Sequence, residues 1–328
     1  MSTVGTQTSV ERSPHRVVGC RVGIDENGLG ASLGPLIVTA VVAEVEKRGA
    51  RAIDDWHSDA THGAVLGDSK KLVRHGDVRL GEAWARVLFN EAARHPQHLL
   101  ELISNVPVEH LQSRCPKQAK KQCWNDSHHA FLAEEPLLVL VRDELKALGK
   151  VGIKPIRVRS RIVCTDELNA RFREGENRFL VDLHSMEELI EGILERTNQP
   201  LGVVCGKVGS MFDYTRYLQR LGAKEPKIVS ESKEVSHYHL DGYGFVKFVK
   251  DADASDPLVM LASLVGKYLR ELFVSRIGGH FSRRVPDLRK PSGYHDPVTG
   301  EFVRATAKYR LKTAFPTSCF ARIGGRDT

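Results

Sequence analysis

The sequence predicts an α/β fold, and three observations carry that expectation. The first is the stretch Val17 to Val42, where an apolar run (Val17, Val18, Cys20, Val22, Ile24) ends in Asp25 and Glu26. A glycine-rich turn follows, and then a second β-prone run from Leu36. That is strand, tight loop, strand. The second is a set of segments with helical periodicity, among them Gly81–Ala93, Phe131–Leu148, Ser185–Arg196 and Leu258–Val274. The third is strand-like runs between them: IRVRSRIVCT, with arginines alternating against apolar residues, the short apolar run from Leu201, and Ile228–Val249.

The opening hairpin bears on function first. Ligands of open α/β sheets gather where strand ends emerge, so two carboxylates at the end of a strand can reach solvent and metal. A hairpin with a solvated acidic tip explains the same residues. Glu44 to Gly67 reads as polar and irregular. Asp68-Ser69-Lys70-Lys71 then offers a hydroxyl, amides and ammonium charge to a phosphate, or caps a helix through Asp68 or Ser69. Gly81–Ala93 places Ala85, Leu88, Phe89 and Ala92 on one face. Between about 100 and 130, Cys115 and Cys123 frame a lysine-rich turn followed by His128 and His129. The spacing C-x7-C-x4-H-H is not that of a known zinc finger and reads as a basic surface insertion.

Ser185-x-x-Glu188 has the form of a capping box opening a helix. Asp213 stands before a short helical pattern, and Asp241-Gly242 signals a hairpin. Asp256 followed by Pro257 is a helix start, and Leu258, Leu261, Ala262, Val265, Leu269 and Leu272 form the buried stripe of the helix that follows. Lys267 and Glu271 lie four apart on one face, which a surface ion pair would explain.

Composition sets bounds on all of this. At 328 residues, with 41% hydrophobic and 27% charged residues, the chain can bury a large core. No apolar run is long enough to cross a membrane, and the polar first 15 residues read as a disordered leader, not a secretory signal. Six scattered cysteines lack the density of a disulfide scaffold, with Cys20 and Cys205 reading as core residues, so a cytoplasmic location is expected. The net charge of +7 suits a polyanionic partner. From His280 onward ten arginines and lysines face four acids, interleaved with aromatics, as in a surface that tracks phosphates or in a solvated basic tail.

Several of these pieces together resemble the type 2 ribonucleases H (ribonucleases HII and HIII). The run Gly23-Ile-Asp-Glu-Asn-Gly-Leu-Gly30 with Leu33-Gly-Pro-Leu36 is similar to that family's first motif. Asp68-Ser-Lys-Lys-Leu72 is similar to its second, Lys250-Asp-Ala-Asp253 leading into Ala262–Glu271 to its late helix, and Ser292-Gly-Tyr-His295 to its Gly-Tyr segment. The resemblance implies a ribonuclease H-like fold, a mixed central sheet flanked by helices, over residues 16–280 with a basic C-terminal extension over 281–328. It implies a hydrolase of the RNA strand of RNA–DNA hybrids, or of ribonucleotides embedded in duplex DNA, using Mg²⁺ or Mn²⁺ in a two-metal site. Asp25, Glu26 and Glu271 would be catalytic metal ligands. Gly28, Leu29, Gly30, Ser69, Lys70, Lys267 and Tyr294 would contact nucleic acid.

Two departures stand out. Aligning on Lys207-Val208-Gly209 puts Gly206 where the family carries a third essential aspartate, so either the chemistry is weakened or another acid such as Asp213 serves. Leu29 replaces the arginine of a Gly-Arg-Gly loop, which spares backbone contacts and removes a side-chain contact. The alternative implied is a nucleic-acid-binding protein on the same fold.

Overall fold

A computed structural model describes residues 19–56, 65–68, 72, 76–105, 130–197, 199–313 and 315–323. Ser69, Lys70, the expected leader and the Cys115–Cys123 turn lie outside the described residues.

Seven strands form one mixed sheet in the order β3-β2-β1-β4-β7-β6-β5. The first two, β1 (Gly19–Asn27) and β2 (Leu36–Val45), are the antiparallel hairpin read from the sequence. β3 (Ile153–Val163) adds antiparallel to β2. On the other side β4 (Leu201–Gly206) runs parallel to β1, and β7 (Gly244–Val249) parallel to β4. β5 (Lys227–Glu231) and β6 (Val235–Leu240) complete the sheet, with Asp241-Gly242 turning β6 into β7 as expected. β2 is buried at nine of its ten positions because both sheet faces are covered.

The period of two then sorts the core into halves. Leu36, Val38 and Ala40 point with Val22, Ile24 and Cys205 into one cluster, which α5 (Thr165–Arg173) and α6 (Arg178–Leu194) cover. Ile37, Val41 and Ala43 point into the other. There they meet α1 (Lys47–Asp54), α2 (Arg79–Leu88), α3 (Pro96–Ser104), α4 (Glu135–Lys150) and α7 (Pro257–Ser282).

α7 organises that second face. Asp256 accepts hydrogen bonds from the amides of Leu258 (2.8 Å) and Val259 (3.1 Å), with Pro257 in the first turn where no N–H is needed. All six residues of its expected stripe are buried, but so is most of its circumference, since β1, β2, α2 and the C-terminal segment surround it. Its start crosses β1 at Gly23, where a Cβ would lie 2.3 Å from the Leu258 carbonyl carbon. Any side chain there would push the helix off the strand.

Four local expectations are corrected. The stretch after Glu44 is not wholly irregular, since α1 opens at Lys47. α2 ends at Leu88, and its buried residues include Trp84 and Val87, while Ala92 is exposed; Trp84 donates to the Val65 carbonyl at 2.6 Å and so turns inward. α6 begins seven residues before Ser185: Asn177 caps it, accepting from the Leu180 amide, and Ser185 bonds the Val181 carbonyl inside the helix. The Ser-x-x-Glu pattern is thus interior, because the apolar residues ahead of it continue the buried face. At Asp213 no helix forms; Tyr214 is pinned against Phe248 (ring centroids 3.8 Å apart) after a single turn.

The C-terminal segment is also not a solvated basic tail. α8 (Pro297–Lys312) and the short α9 (Thr317–Phe320) close a small core of Leu33, Ile277, Phe281, Phe302 and Phe320. Phe281 and Phe302 pack edge to face inside it, so they are not stacking platforms for bases. No described helix is long and apolar enough to cross a membrane.

Candidate active site

Asp25 and Glu26 occupy the end of β1, paired with Thr39 and Val38 of β2. On the other flank Ile24 pairs with Cys205 of β4, so Gly206 comes abreast of Asp25. A Cβ built on Gly206 would lie 2.8 Å from Asp25 Oδ1 and 3.7 Å from Glu26 Oε2. The position identified as lacking an acid therefore lies against both carboxylates. Asp25 is 9% exposed and Glu26 half-buried.

Helix α7 delivers the third acid. Asn27 donates to the Ser263 carbonyl (3.3 Å), and Gly266 packs against the Asn27 side chain. One turn on, Arg270 faces the glycine loop and Glu271 follows it. Arg270, 1% exposed, is the hub of the site. Its Nη1 meets Glu271 Oε1 at 2.5 Å, and its Nη2 donates to the Ser292 carbonyl at 2.9 Å. Its guanidinium lies 4.0 Å from the centre of the Tyr294 ring. Gly28 (φ +91°) and Gly293 (φ +82°) both press on it, with Cβ positions 3.0 and 2.9 Å from its atoms, so neither tolerates a side chain. The Gly293 carbonyl in turn accepts the amides of Ser32 (2.8 Å) and Leu33 (3.0 Å), tying the Gly-Tyr segment to the loop.

Arg270 thus joins three segments spread over more than 250 residues: the loop after Asp25-Glu26, the helix residue Glu271, and Ser292–Tyr294. Leu29 is half-buried and Gly30 exposed; Lys267 is half-buried one turn before Glu271. Beside Ser69 and Lys70 the Leu72 amide donates to the Asp68 carbonyl, as in a helical turn. Asp213 is engaged by Thr215 and Arg216, which argues against its serving as the substitute acid. Two clefts share Lys290. One, of about 280 Å³, reaches Glu271 past Tyr268 and Ser275; the other is bounded by Arg289, Ser292, Tyr294 and Asp296.

Sequence reasoning missed Arg322 and Asp182. Asp182 of α6 is fully buried, and neither carboxyl oxygen has a hydrogen-bond partner among the described residues. Burial first, and then the charge of Asp25, push its carboxyl well above the usual carboxylate range; burial and the same acids push the Cys205 thiol up as well. An acid near Asp25 in an otherwise apolar helix face was the available signal.

The donor set is all oxygen, as Mg²⁺ and Mn²⁺ require. The geometry fits in part: Asp25 and Glu26 converge at Gly206, while Glu271 is held by Arg270. Among the described residues no three His, Cys, Asp or Glu side chains are grouped as an ion's ligands would be. The set suits an ion held by two carboxylates and water.

No protein-family model matches the chain, and no curated protein matches it. Among solved structures it is similar to the ribonuclease HII of a PCNA:RNase HII complex from Archaeoglobus fulgidus, at 17% identity over 92% of this chain and 93% of that one, with a TM-score of 0.39. It is similar to ribonuclease H2 from Pyrococcus horikoshii OT3, at 16% identity over 92% of each chain (TM-score 0.42). It is also similar to Bst-RNase HIII in complex with Mn²⁺, at 12% identity over 97% of this chain and 72% of that chain (TM-score 0.41).

Proposed function

We propose that this chain is a ribonuclease H-type phosphodiester hydrolase acting on RNA–DNA hybrids or on ribonucleotides embedded in duplex DNA. The observation that carries the reading is the convergence on Arg270. Motifs remote in sequence, each resembling a part of one family's site, meet at Arg270 beside the loop that follows Asp25 and Glu26.

In this reading Asp25, Glu26 and Glu271 would hold a divalent ion. Bound there, the ion supplies an activated water and a stabilised leaving oxygen. The remaining work belongs to the chain. The glycine loop presents backbone groups to a ribose 2′-hydroxyl, which distinguishes RNA from DNA. Tyr294, 39% exposed, offers the outer face of a ring whose orientation Arg270 fixes. Arg289 and Lys290 line the cleft beside it and are placed to neutralise phosphates. Ser69 and Lys70 would contact phosphate.

A second reading, a nucleic-acid-binding protein with weakened chemistry, is favoured by Gly206 and by the Arg270–Glu271 pair. Cleavage of labelled duplexes separates the two. A full hybrid, a DNA duplex with one ribonucleotide and an all-DNA duplex are incubated with Mg²⁺ or Mn²⁺. Cutting at ribose by the wild type but not by Asp25→Ala supports the hydrolase. Binding of hybrids without cutting supports the second reading, and absence of both refutes both.

A further inference from the structure

Behind the glycine loop stands a residue that neither reading has used. Arg322, 8% exposed, reaches from the C-terminal segment into the inner side of the loop. Its Nη1 donates to the Gly28 carbonyl at 2.6 Å and to the Leu29 carbonyl at 3.4 Å, and its Nε donates to the Gly34 carbonyl at 2.9 Å. The backbone alongside is stitched as well. The Arg322 amide donates to the Ser32 carbonyl (3.0 Å), and Leu33 bridges to Ala321. Asn169 of α5 fixes the segment from its other side, donating to the Ser318 and Ala321 carbonyls and accepting the Ile323 amide at 2.8 Å.

A trans peptide points its C=O and N–H in opposite directions. Carbonyls of Gly28 and Leu29 that are drawn inward onto one guanidinium therefore turn the next amides, those of Leu29 and Gly30, outward. Among the described residues neither of these two amides donates a backbone hydrogen bond, and a Cβ on Gly30 would meet nothing within 4 Å. Consecutive outward N–H groups form a concave donor site for an electronegative oxygen. The charge behind the loop reinforces it. Arg322, Arg270 and Arg178 lie close enough together that burial, followed by the charges of Arg178 and Arg270, lowers the Arg322 guanidinium to about 9. Arg322 Nη2 and Arg178 Nη2 have no partner among the described residues, so this positive charge is only partly spent on local hydrogen bonds.

We propose that Arg322 is a positioning residue of the substrate site: by holding the Gly28, Leu29 and Gly34 carbonyls it aims the Leu29 and Gly30 amides at a ribose oxygen of the bound strand. The C-terminal segment is then part of the site and not an accessory. The inference rests on the glycine loop's contacting substrate, as proposed above.

The test uses the full chain, as wild type, Arg322→Ala, Arg322→Lys and Asn169→Ala. Two quantities are read. One is amide hydrogen exchange across residues 28–34 without nucleic acid. The other is the affinity for an RNA–DNA hybrid relative to an all-DNA duplex, with EDTA present to prevent cutting. Faster exchange confined to the loop, together with a loss of at least about tenfold in hybrid affinity that the all-DNA duplex does not share, is expected for both Arg322 variants. Lysine keeps the charge but cannot span three carbonyls. Asn169→Ala, which leaves the guanidinium in place but loosens its anchor, should show the same effects in smaller degree and stands in if Arg322→Ala fails to fold. Unchanged exchange in folded Arg322 variants overturns the clamp. Faster exchange with an unchanged hybrid-to-DNA ratio overturns its role in binding. A wild type that binds no hybrid refutes the proposed function, while the exchange result still decides whether the clamp exists.

Discussion

Placing an acid at Gly206 tests the proposed metal site directly. Gly206 has an ordinary negative-φ backbone, so aspartate meets no conformational penalty there. Its Cβ would meet Asp25 Oδ1 at 2.8 Å, the far end of a rotatable carboxyl. Moving that oxygen to ordinary contact, by roughly 0.5 Å, costs on the order of 1 kcal/mol in off-rotamer strain. Charge is the larger effect. Two carboxylates about 4 Å apart repel by up to about 4 kcal/mol at an effective dielectric constant of ~20, and upward pKa shifts relieve part of this. Gly206→Asp should therefore lose roughly 2–4 kcal/mol in EDTA, a fall of about 3–6 °C in Tm for a chain of this size. Mn²⁺ should reverse the balance. Each tenfold gain in ion affinity returns about 1.4 kcal/mol at saturating metal, so the variant's Tm should rise more on adding Mn²⁺ than the wild type's. Thermal melts with EDTA and with Mn²⁺, joined to calorimetric Mn²⁺ titrations, measure both parts. An equal destabilisation with and without metal, and no tighter Mn²⁺ binding, would refute the placement of Gly206 among the ligands.

Four further outcomes follow from the same geometry. Asp182 has its folded pKa raised above the unfolded value of 3.8, so its contribution is fully present at low pH and is lost as pH rises through the folded pKa. Asp182→Asn should remove that slope and be more stable than the wild type at neutral pH, as read by urea unfolding from pH 4 to 8. His280 is shifted the other way, to about 4, by burial and then by Arg284, so the native state loses stability as pH falls from 6.5 through 4; His280→Leu should flatten the acid limb of a Tm-against-pH curve. Glu82 Oε1 accepts the Leu132 and Ala133 amides, both at 2.8 Å, while burial raises its pKa. Glu82→Gln keeps an acceptor and should stay within about 1 kcal/mol of the wild type, whereas Glu82→Ala strands two amides and should lose roughly 2–5 kcal/mol by chemical denaturation. Arg270→Met should free Glu271 and tighten Mn²⁺ binding, yet loosen Gly28 and Tyr294 and weaken hybrid binding. If calorimetry shows both affinities moving the same way, Arg270 does not hold Glu271 apart from the other acids.

Much of the fold was legible because its signals are local. The β1–β2 hairpin, the Asp256-Pro257 helix start and the Asp241-Gly242 turn are each written in adjacent residues, and each stands where expected. The errors arose where a local pattern had to compete with burial. Ser185-x-x-Glu188 is an acceptable cap in isolation, but Val181 and Leu183 ahead of it are buried, and extending the helix to Asn177 gains more than starting it late. The aromatics after His280 looked like stacking positions because composition does not say that Phe281 and Phe302 face each other.

The sequence names candidate residues for the site but says nothing of their wiring, for the same physical reason. Asp25, Glu26 and Glu271 announce themselves as acids at a strand end and on a late helix, but nothing in their spacing fixes which cation each will meet. Glu271 was expected as a metal ligand, with an ion pair to Lys267, four residues back along its own helix, as the alternative. The guanidinium of its immediate neighbour Arg270, buried among Gly28, Gly293 and Tyr294, takes one of its oxygens. A buried guanidinium deprived of its carboxylate leaves an uncompensated charge costing roughly 3–5 kcal/mol. Drawing Glu271 onto an ion therefore incurs that cost, offset only by what Ser292 and Tyr294 still give Arg270. Arg322 adds a second buried cation a loop's width away, so any anion approaching the glycine loop lowers the energy of both arginines at once. Under the proposed function a substrate phosphate would supply the negative charge that Glu271 gives up, coupling ion binding to nucleic-acid binding.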